Sequence, residues 1–406
     1  MKSENNIVEG ALKVHKLTFW EAAMIIVGAN IGSGILGLAY SARKAGWPVL
    51  MLWLIIAGFF TTASMLYVAE TTLRTRKVMQ LSGLAKKYVG ELGAWLVFIS
   101  VAANTIGCLI AYTNGSGRIL SEMFGLSTQI GSLLFSFPAV IVVWFGLKAT
   151  GVAEKVISFG MMALLAVIIA ASFLAENSDL SNAIFTNWTY AIPVFNVAIF
   201  CYIAQYAVPE LARGLAHDQQ KLAPAIVTGM SLTMVLLALV PLAVLSLTGP
   251  ENVTQVATIA WGKALGEWAF FTANLFALAA MMTSYWAVAG SFLTNIVDKF
   301  NFKSEDDVKT RLFVLACVVI PPFILAYSGL VSFVDAIYLA GTFGGVIMSV
   351  LPVLMLRSAR KTGDMEPSWQ CGWIASAWVQ WSMIVLFCGA ALYAVLGLFG
   401  LLPAAW

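Results

Sequence analysis

The stretch Gly28-Ala29-Asn30-Ile31-Gly32-Ser33-Gly34-Ile35-Leu36-Gly37 sets four glycines, an Asn and a Ser inside a hydrophobic run from about Thr18 to Ala42. A helix in lipid keeps its backbone groups bonded, because the hydrocarbon offers no replacement partners. Each glycine weakens a helix by about 1 kcal/mol relative to Ala. Gly32-Ser33-Gly34 therefore predicts a break at mid-membrane, which survives only where protein or a water-filled cavity surrounds it. The carbonyls freed there can hold a cation, and the N–H groups opening the second half-helix can hold a carboxylate. A zwitterion such as an amino acid suits that pair of fields. Gly28 and Gly32 also form G-x-x-x-G, the spacing that lets two helices touch. Asn30 and Ser33 tilt the choice from packing toward binding.

Two further stretches could share that chemistry. Ala198-Ile199-Phe200-Cys201-Tyr202-Ile203-Ala204-Gln205-Tyr206 lies between Pro193 and Pro209 and predicts a second discontinuous helix. Paired interruptions at matching positions of two halves point to an inverted repeat with the site between them. Two ordinary Pro kinks are the competing reading. Ala280-Met281-Met282-Thr283-Ser284 puts Ala280, Thr283 and Ser284 on one helix face. Two hydroxyls and a carbonyl there are hard ligands for a small monovalent cation, but Ser and Thr also commonly bond the carbonyl one turn back. Gly341-Thr342-Phe343-Gly344-Gly345, followed by Pro352, reads as close packing. Glu70 and Asp335 sit near span ends and read as solvated charges, although an intramembrane acid is a functional candidate by default.

The elements that must carry these residues are membrane helices. Of the 406 residues 60% are hydrophobic and only 11% charged, against about 25% charged in soluble domains. Apolar segments of roughly 20 residues run near 18–43, 47–73, 93–119, 131–147, 153–175, 189–212, 222–248, 266–296, 310–327, 331–356 and 377–402, about 11 in all. With a cytoplasmic N-terminus, only Arg43, Lys44, Arg118 and Lys263 of the 23 Lys and Arg fall outside, as the positive-inside rule requires. The expectation is an all-α multi-pass protein of a bacterial or archaeal cytoplasmic membrane. Its partners are the lipid bilayer and a small-molecule amino acid, with no nucleic acid, no obligate protein partner and no cofactor beyond a coupling ion. The first apolar run is too long for a signal peptide. Cys108, Cys201, Cys317, Cys371 and Cys388 show neither disulfide nor metal spacing. His15 and His217 lie at polar ends and offer no general base within the membrane, so an enzyme is not expected. A membrane amino-acid sensor is the alternative in a different class, and a tail of residues 1–17 is short for one.

Gly32-Ser33-Gly34-Ile35-Leu36-Gly37-Leu38-Ala39-Tyr40, followed by Gly46-Trp47, resembles the first-helix signature of the amino acid/auxin permease family. Phe200-Cys201-Tyr202 resembles the F-A-Y of the wider amino acid–polyamine–organocation permeases. Ala39 departs from the family, which usually has Pro there. The resemblance implies the fold of the bacterial leucine transporter: inverted repeats of five helices over 18–175 and 189–356, helices 1 and 6 broken, and an additional helix over 377–402. It implies symport of an amino acid with sodium or protons. Carried over, the substrate meets Asn30, Ile31, Gly32, Ser33, Gly34, Phe200, Cys201, Tyr202, Ala204 and Gln205. The sodium site of the relatives maps onto Gly28, Ile31, Ala280, Thr283 and Ser284. Some proton-coupled permeases carry a Lys mid-fifth-helix. Here the register gives Met161 or Met162, with Lys155 too early, which favours sodium. The absence of mid-membrane charge in the two broken helices points to a neutral substrate, and Phe200, Tyr202 and Ile203 to an apolar or aromatic one.

Overall fold

The computed structural model describes residues 16–77, 79–145, 151–300, 302 and 307–402. Among them every regular element is helical. The first expected span is a pair, α1 (Phe19–Asn30) and α2 (Ser33–Ala42), bent by 54° at the residues between. Then come α3 (Trp47–Leu73), a short α4 (Leu81–Val89), α5 (Glu91–Phe124), α6 (Thr128–Phe145) and α7 (Gly151–Leu174). The second broken span is α8 (Ala191–Phe200), an irregular turn, and α9 (Val208–Gly214). The chain continues through α10 (Leu222–Thr248), a short α11 (Ala257–Leu265), α12 (Glu267–Lys299) and α13 (Val308–Tyr327). It closes with α14 (Phe333–Leu339), a π-helical turn Ala340–Gly345, α15 (Val346–Thr362) and α16 (Ala377–Leu398). Among the described residues nine helices are long and apolar enough to cross a membrane, and the bent pair makes a tenth. The remaining expected segment is α7, of which Ala163–Leu174 counts as a shorter apolar helix.

Small residues set how these helices meet, as expected where lipid is as apolar as the helix faces. A Cβ on Gly229 of α10 would stand 2.7 Å from the Ala23 carbonyl of α1, so these two helices lie backbone to backbone. Gly341 and Gly345 leave no such room against α8: a Cβ would come within 2.2 Å of the Asn196 carbonyl and 2.5 Å of Ile199. The expectation of close packing in this segment holds, and the structure adds a π turn there, a feature frequent at functional sites.

Helix ends are satisfied locally. Thr18 and Glu21 form a capping box at the start of α1, with Thr18 N–H to Glu21 Oε2 at 2.9 Å and Glu21 N–H to Thr18 Oγ1 at 3.3 Å. Ser332 caps α14 by accepting from the Asp335 N–H at 3.3 Å, and its hydroxyl donates to Asp335 Oδ2 at 2.6 Å.

Glu70 corrects its reading as a solvated end. Its side chain is fully buried near the end of α3. Arg74 Nε donates to Oε1 at 3.0 Å, Arg360 donates to both oxygens at 2.8 and 2.9 Å, and the Cys371 N–H donates to Oε2 at 2.8 Å. Two guanidinium groups and a main-chain donor balance the charge, the condition under which a buried carboxylate survives. The cluster ties α3, α15 and the connection before α16 together. Beside it Asp364 accepts from the Arg76 N–H at 3.0 Å and pairs with Lys87 of α4. Lys87 first, and then the Arg76 N–H, hold the Asp364 carboxyl below the usual carboxylate range. Burial pushes the Cys371 thiol up.

Candidate functional site

The first break falls one residue earlier than expected. Ile31 and Gly32 leave helical geometry, whereas Ser33 and Gly34 already belong to α2. Ile31 closes α1 by donating to the Val27 carbonyl at 2.9 Å. The second break runs from Cys201, where the Cys201 N–H still reaches the Val197 carbonyl at 3.2 Å, through Tyr202 and Ala204 to a 3₁₀ turn at Gln205–Ala207. Pro193 and Pro209 flank it, each in the first turn of a half-helix. Tyr202 is anchored through its hydroxyl to the Leu54 carbonyl of α3 at 3.2 Å.

The two breaks face each other. A Cβ on Gly34 would stand 2.6 Å from Cys201 Sγ and 3.0 Å from the Phe200 ring, so Gly34 is the glycine that lets α2 approach α8. The 3₁₀ turn at Gln205 packs against α1. Gly28 lies outside the seam that G-x-x-x-G would make: it is exposed, with open space where a Cβ would be.

Polar atoms collect here without partners among the described residues. Asn30 Oδ1, Ser33 Oγ and both amide atoms of Gln205 are buried and unbonded, and all three residues are at most 4% exposed. The Asn30 amide N–H₂ reaches only the Met230 sulfur, at 3.3 Å. An unsatisfied buried polar group costs about 1–3 kcal/mol. Each of the three carries such an atom at or beside a helix break, where a ligand with donors and acceptors could satisfy it.

A narrow crevice opens from the first break between α2, α7, α11 and α12, with a volume of about 40 Å³. Gly32, Ser33, Ala280 and Ser284 line it. Two of the residues expected to hold a cation therefore meet the first break. Thr283 does not line the crevice and donates to the Ala280 carbonyl at 3.0 Å, the local bond that competes with ligand binding in any helical Thr. The side chains of Lys155, Met161 and Met162 lie outside the described residues.

Tyr112 of α5 was not singled out by its sequence. It is buried, and its hydroxyl stands 3.7 Å from where a Gly32 Cβ would be. Nothing in the run around it distinguishes this Tyr from a core residue. Only the packing of α5 on the break reveals it.

The fold and the paired breaks can be set beside known proteins. Residues 15–396 match the Tryptophan/tyrosine permease family. The chain belongs to the tryptophan/tyrosine permease family. The permease is 25% identical over 375 residues to a tryptophan-specific transport protein of Haemophilus influenzae, covering 84% of this chain and 87% of that one. It is 21% identical over 361 residues to the tyrosine-specific transport system 2 of the same organism, covering 82% and 86%. A shorter similarity, 28% over 160 residues, links it to an amino acid transporter of Arabidopsis thaliana, with 38% of this chain and 36% of that one matched. The resemblance to the amino acid/auxin permease family is corrected accordingly: the family match extends over nearly the whole permease, whereas that motif was specific only in helix 1 and departed at Ala39. The permease is a multi-pass membrane transport protein and not an enzyme.

Proposed function

We propose that the permease carries an aromatic amino acid, tryptophan or tyrosine, in symport with a cation by alternating access. The observation that carries this reading is the set of unpartnered buried atoms on Asn30, Ser33 and Gln205 at the two breaks. In the bound state the α-carboxylate sits at the N-terminus of α2, against Ser33 and the first free N–H groups, where a helix end favours an anion. Tyr112 donates to it from α5. The α-ammonium, with three donors and no acceptor, meets Asn30 Oδ1 and Gln205 Oε1. Phe200, Cys201 and Tyr202 wall the site. Neither break contains an Asp, Glu, Lys or Arg, and an unpaired charge at mid-membrane would cost at least about 2.5 kcal/mol. The side chain carried is therefore neutral. The names of the two Haemophilus relatives narrow it to an aromatic one.

Sodium is the favoured coupling ion. The breaks hold no Asp, Glu or His to carry a proton, while the carbonyls of Gly28, Ile31 and Ala280 with the hydroxyls of Thr283 and Ser284 are hard ligands. Thr283 would have to exchange its local bond for the ion. The helices over 18–175 and 189–356 are read as the two inverted repeats, and the N-terminus as cytoplasmic.

The test is uptake of labelled tryptophan and tyrosine into proteoliposomes under an imposed sodium or proton gradient, with competition by phenylalanine, leucine, lysine and glutamate. Sodium-driven uptake of the aromatic substrates, resistant to lysine and glutamate, is expected. Full uptake in sodium-free buffer under a proton gradient would transfer the coupling to protons. Absence of aromatic uptake under both gradients would end the reading.

A further inference from the structure

Beyond the break, the crevice runs to α11, where a second buried hydroxyl waits. Thr258 Oγ1 is without a partner among the described residues, as is Ser33 Oγ at the near end. Thr258 is 5% exposed and Ser33 1%, and both line the crevice. Ser284 adds a third hydroxyl to the lining, and the remaining side chains are carbon, supplied chiefly by Trp261, Phe276 and Leu164. Ala273, Ala277 and Ala280 present the small side of α12 along its length. Trp261 is pinned, its indole N–H donating to Ser172 Oγ of α7 at 2.6 Å.

That inventory selects among occupants. The sodium shell read above draws on Ala280 and Ser284 beside the first break, whereas α11 brings only the Thr258 hydroxyl to the crevice, too few oxygens for an ion there. A resident water needs two to four polar partners, and Thr258 is the one hydroxyl among the α11 side chains that line the crevice. A flat apolar group with one polar atom at its rim suits the carbon side chains around the single hydroxyl of α11.

We propose that this crevice receives the substrate's aromatic ring, and that Thr258 accepts the hydrogen bond of the ring's polar atom: the indole N–H of tryptophan or the phenol O–H of tyrosine. The inference rests on the transport reading above, which places the carboxylate and ammonium at the breaks; the ring then enters from the Ser33 end. The present volume of about 40 Å³ has room for water rather than for a ring. Admission of the ring requires the crevice to widen; a side-chain tie that holds α11 on α7 is the Trp261–Ser172 bond.

Without the Thr258 oxygen, a buried indole N–H loses its partner, a loss of about tenfold or more in affinity. The experiment is equilibrium binding of labelled tryptophan to the purified full-length permease, competed by tryptophan, phenylalanine and 3-benzothienylalanine, in which sulfur replaces the indole N–H. Wild type should prefer tryptophan over 3-benzothienylalanine by about tenfold. Thr258→Val should collapse that preference, and Thr258→Ser, which keeps the hydroxyl, should restore it. Ala277→Leu fills the crevice and should remove binding of both ligands from protein that remains monodisperse. An undiminished preference in Thr258→Val, or wild-type tryptophan binding in monodisperse Ala277→Leu, overturns the inference while leaving the transport reading intact. Wild-type protein that binds neither tryptophan nor tyrosine defeats the transport reading itself, and the inference with it.

Discussion

Gln205 carries both amide atoms into the interior without a partner among the described residues. If the amide exists to meet a substrate, its removal should separate stability from function. Gln205→Met should raise thermal stability by about 1–3 kcal/mol and weaken substrate binding at least tenfold. Thermal unfolding and equilibrium binding on the same preparation check this, and a less stable variant that binds normally would refute it. Asn30, Ser33 and Gln205 were legible in the sequence because polar residues among glycines or prolines in an apolar run have few structural uses. Tyr112 and Thr258 were not. A lone Tyr or Thr in a helix reads as core, and only the approach of α5 or α11 to the break gives it a role. Gly34 was read as part of the break; it proves to be the point where α2 closes on Cys201 and Phe200.

At the scale of elements, helix breaks were well marked by local chemistry: the first is misplaced by one residue, and the second lies between its two prolines. Tertiary partnerships were not marked. Glu70 finds Arg360 and Cys371 at sequence separations of 290 and 301, distances across which no local pattern operates. The neighbouring Asp364 gives this end of the bundle a pH response. Its folded pKa is depressed, first by Lys87 and then by the Arg76 N–H, so its contribution is present above the unfolded value of about 3.9 and fades as pH falls through the lower folded value. Docking of the 363–366 connection on α4 should hold at neutral pH and loosen in acid. Hydrogen exchange at Arg76 and Met365, corrected for intrinsic rates, should show lost protection below about pH 4, and Asp364→Asn should show it already at pH 7. Protection that ignores pH in the wild type would dissociate this carboxylate from the docking.

The whole molecule was the most legible level, because bilayer thickness and backbone satisfaction leave few alternatives to a stack of apolar helices. The uneven placement of Lys and Arg carries a further expectation: the end with Glu70, Lys87 and Arg360 faces the cytoplasm. Glu251, exposed between α10 and α11, and Met365, 44% exposed at the other end, are suitable sites for a test. In intact cells, a membrane-impermeant maleimide should label Glu251→Cys and spare Met365→Cys until the membrane is permeabilised. The reverse pattern would invert the topology. What composition could not supply was the identity of the substrate.

The meeting of Gly34 with Cys201 has a practical consequence. Cys108, Cys201 and Cys371 are buried, and Cys317 and Cys388 lie exposed on α13 and α16, helices whose outer faces are apolar. Water-soluble thiol reagents should thus meet a nearly silent background in the resting protein. Cys201 sits where the two discontinuous helices touch, so separating them would uncover its sulfur. The native chain thereby carries its own stopwatch. On the proposed alternating-access reading, the rate at which a small methanethiosulfonate modifies Cys201, located by mass spectrometry, would count how often the transporter opens, with no engineered probe and no dye.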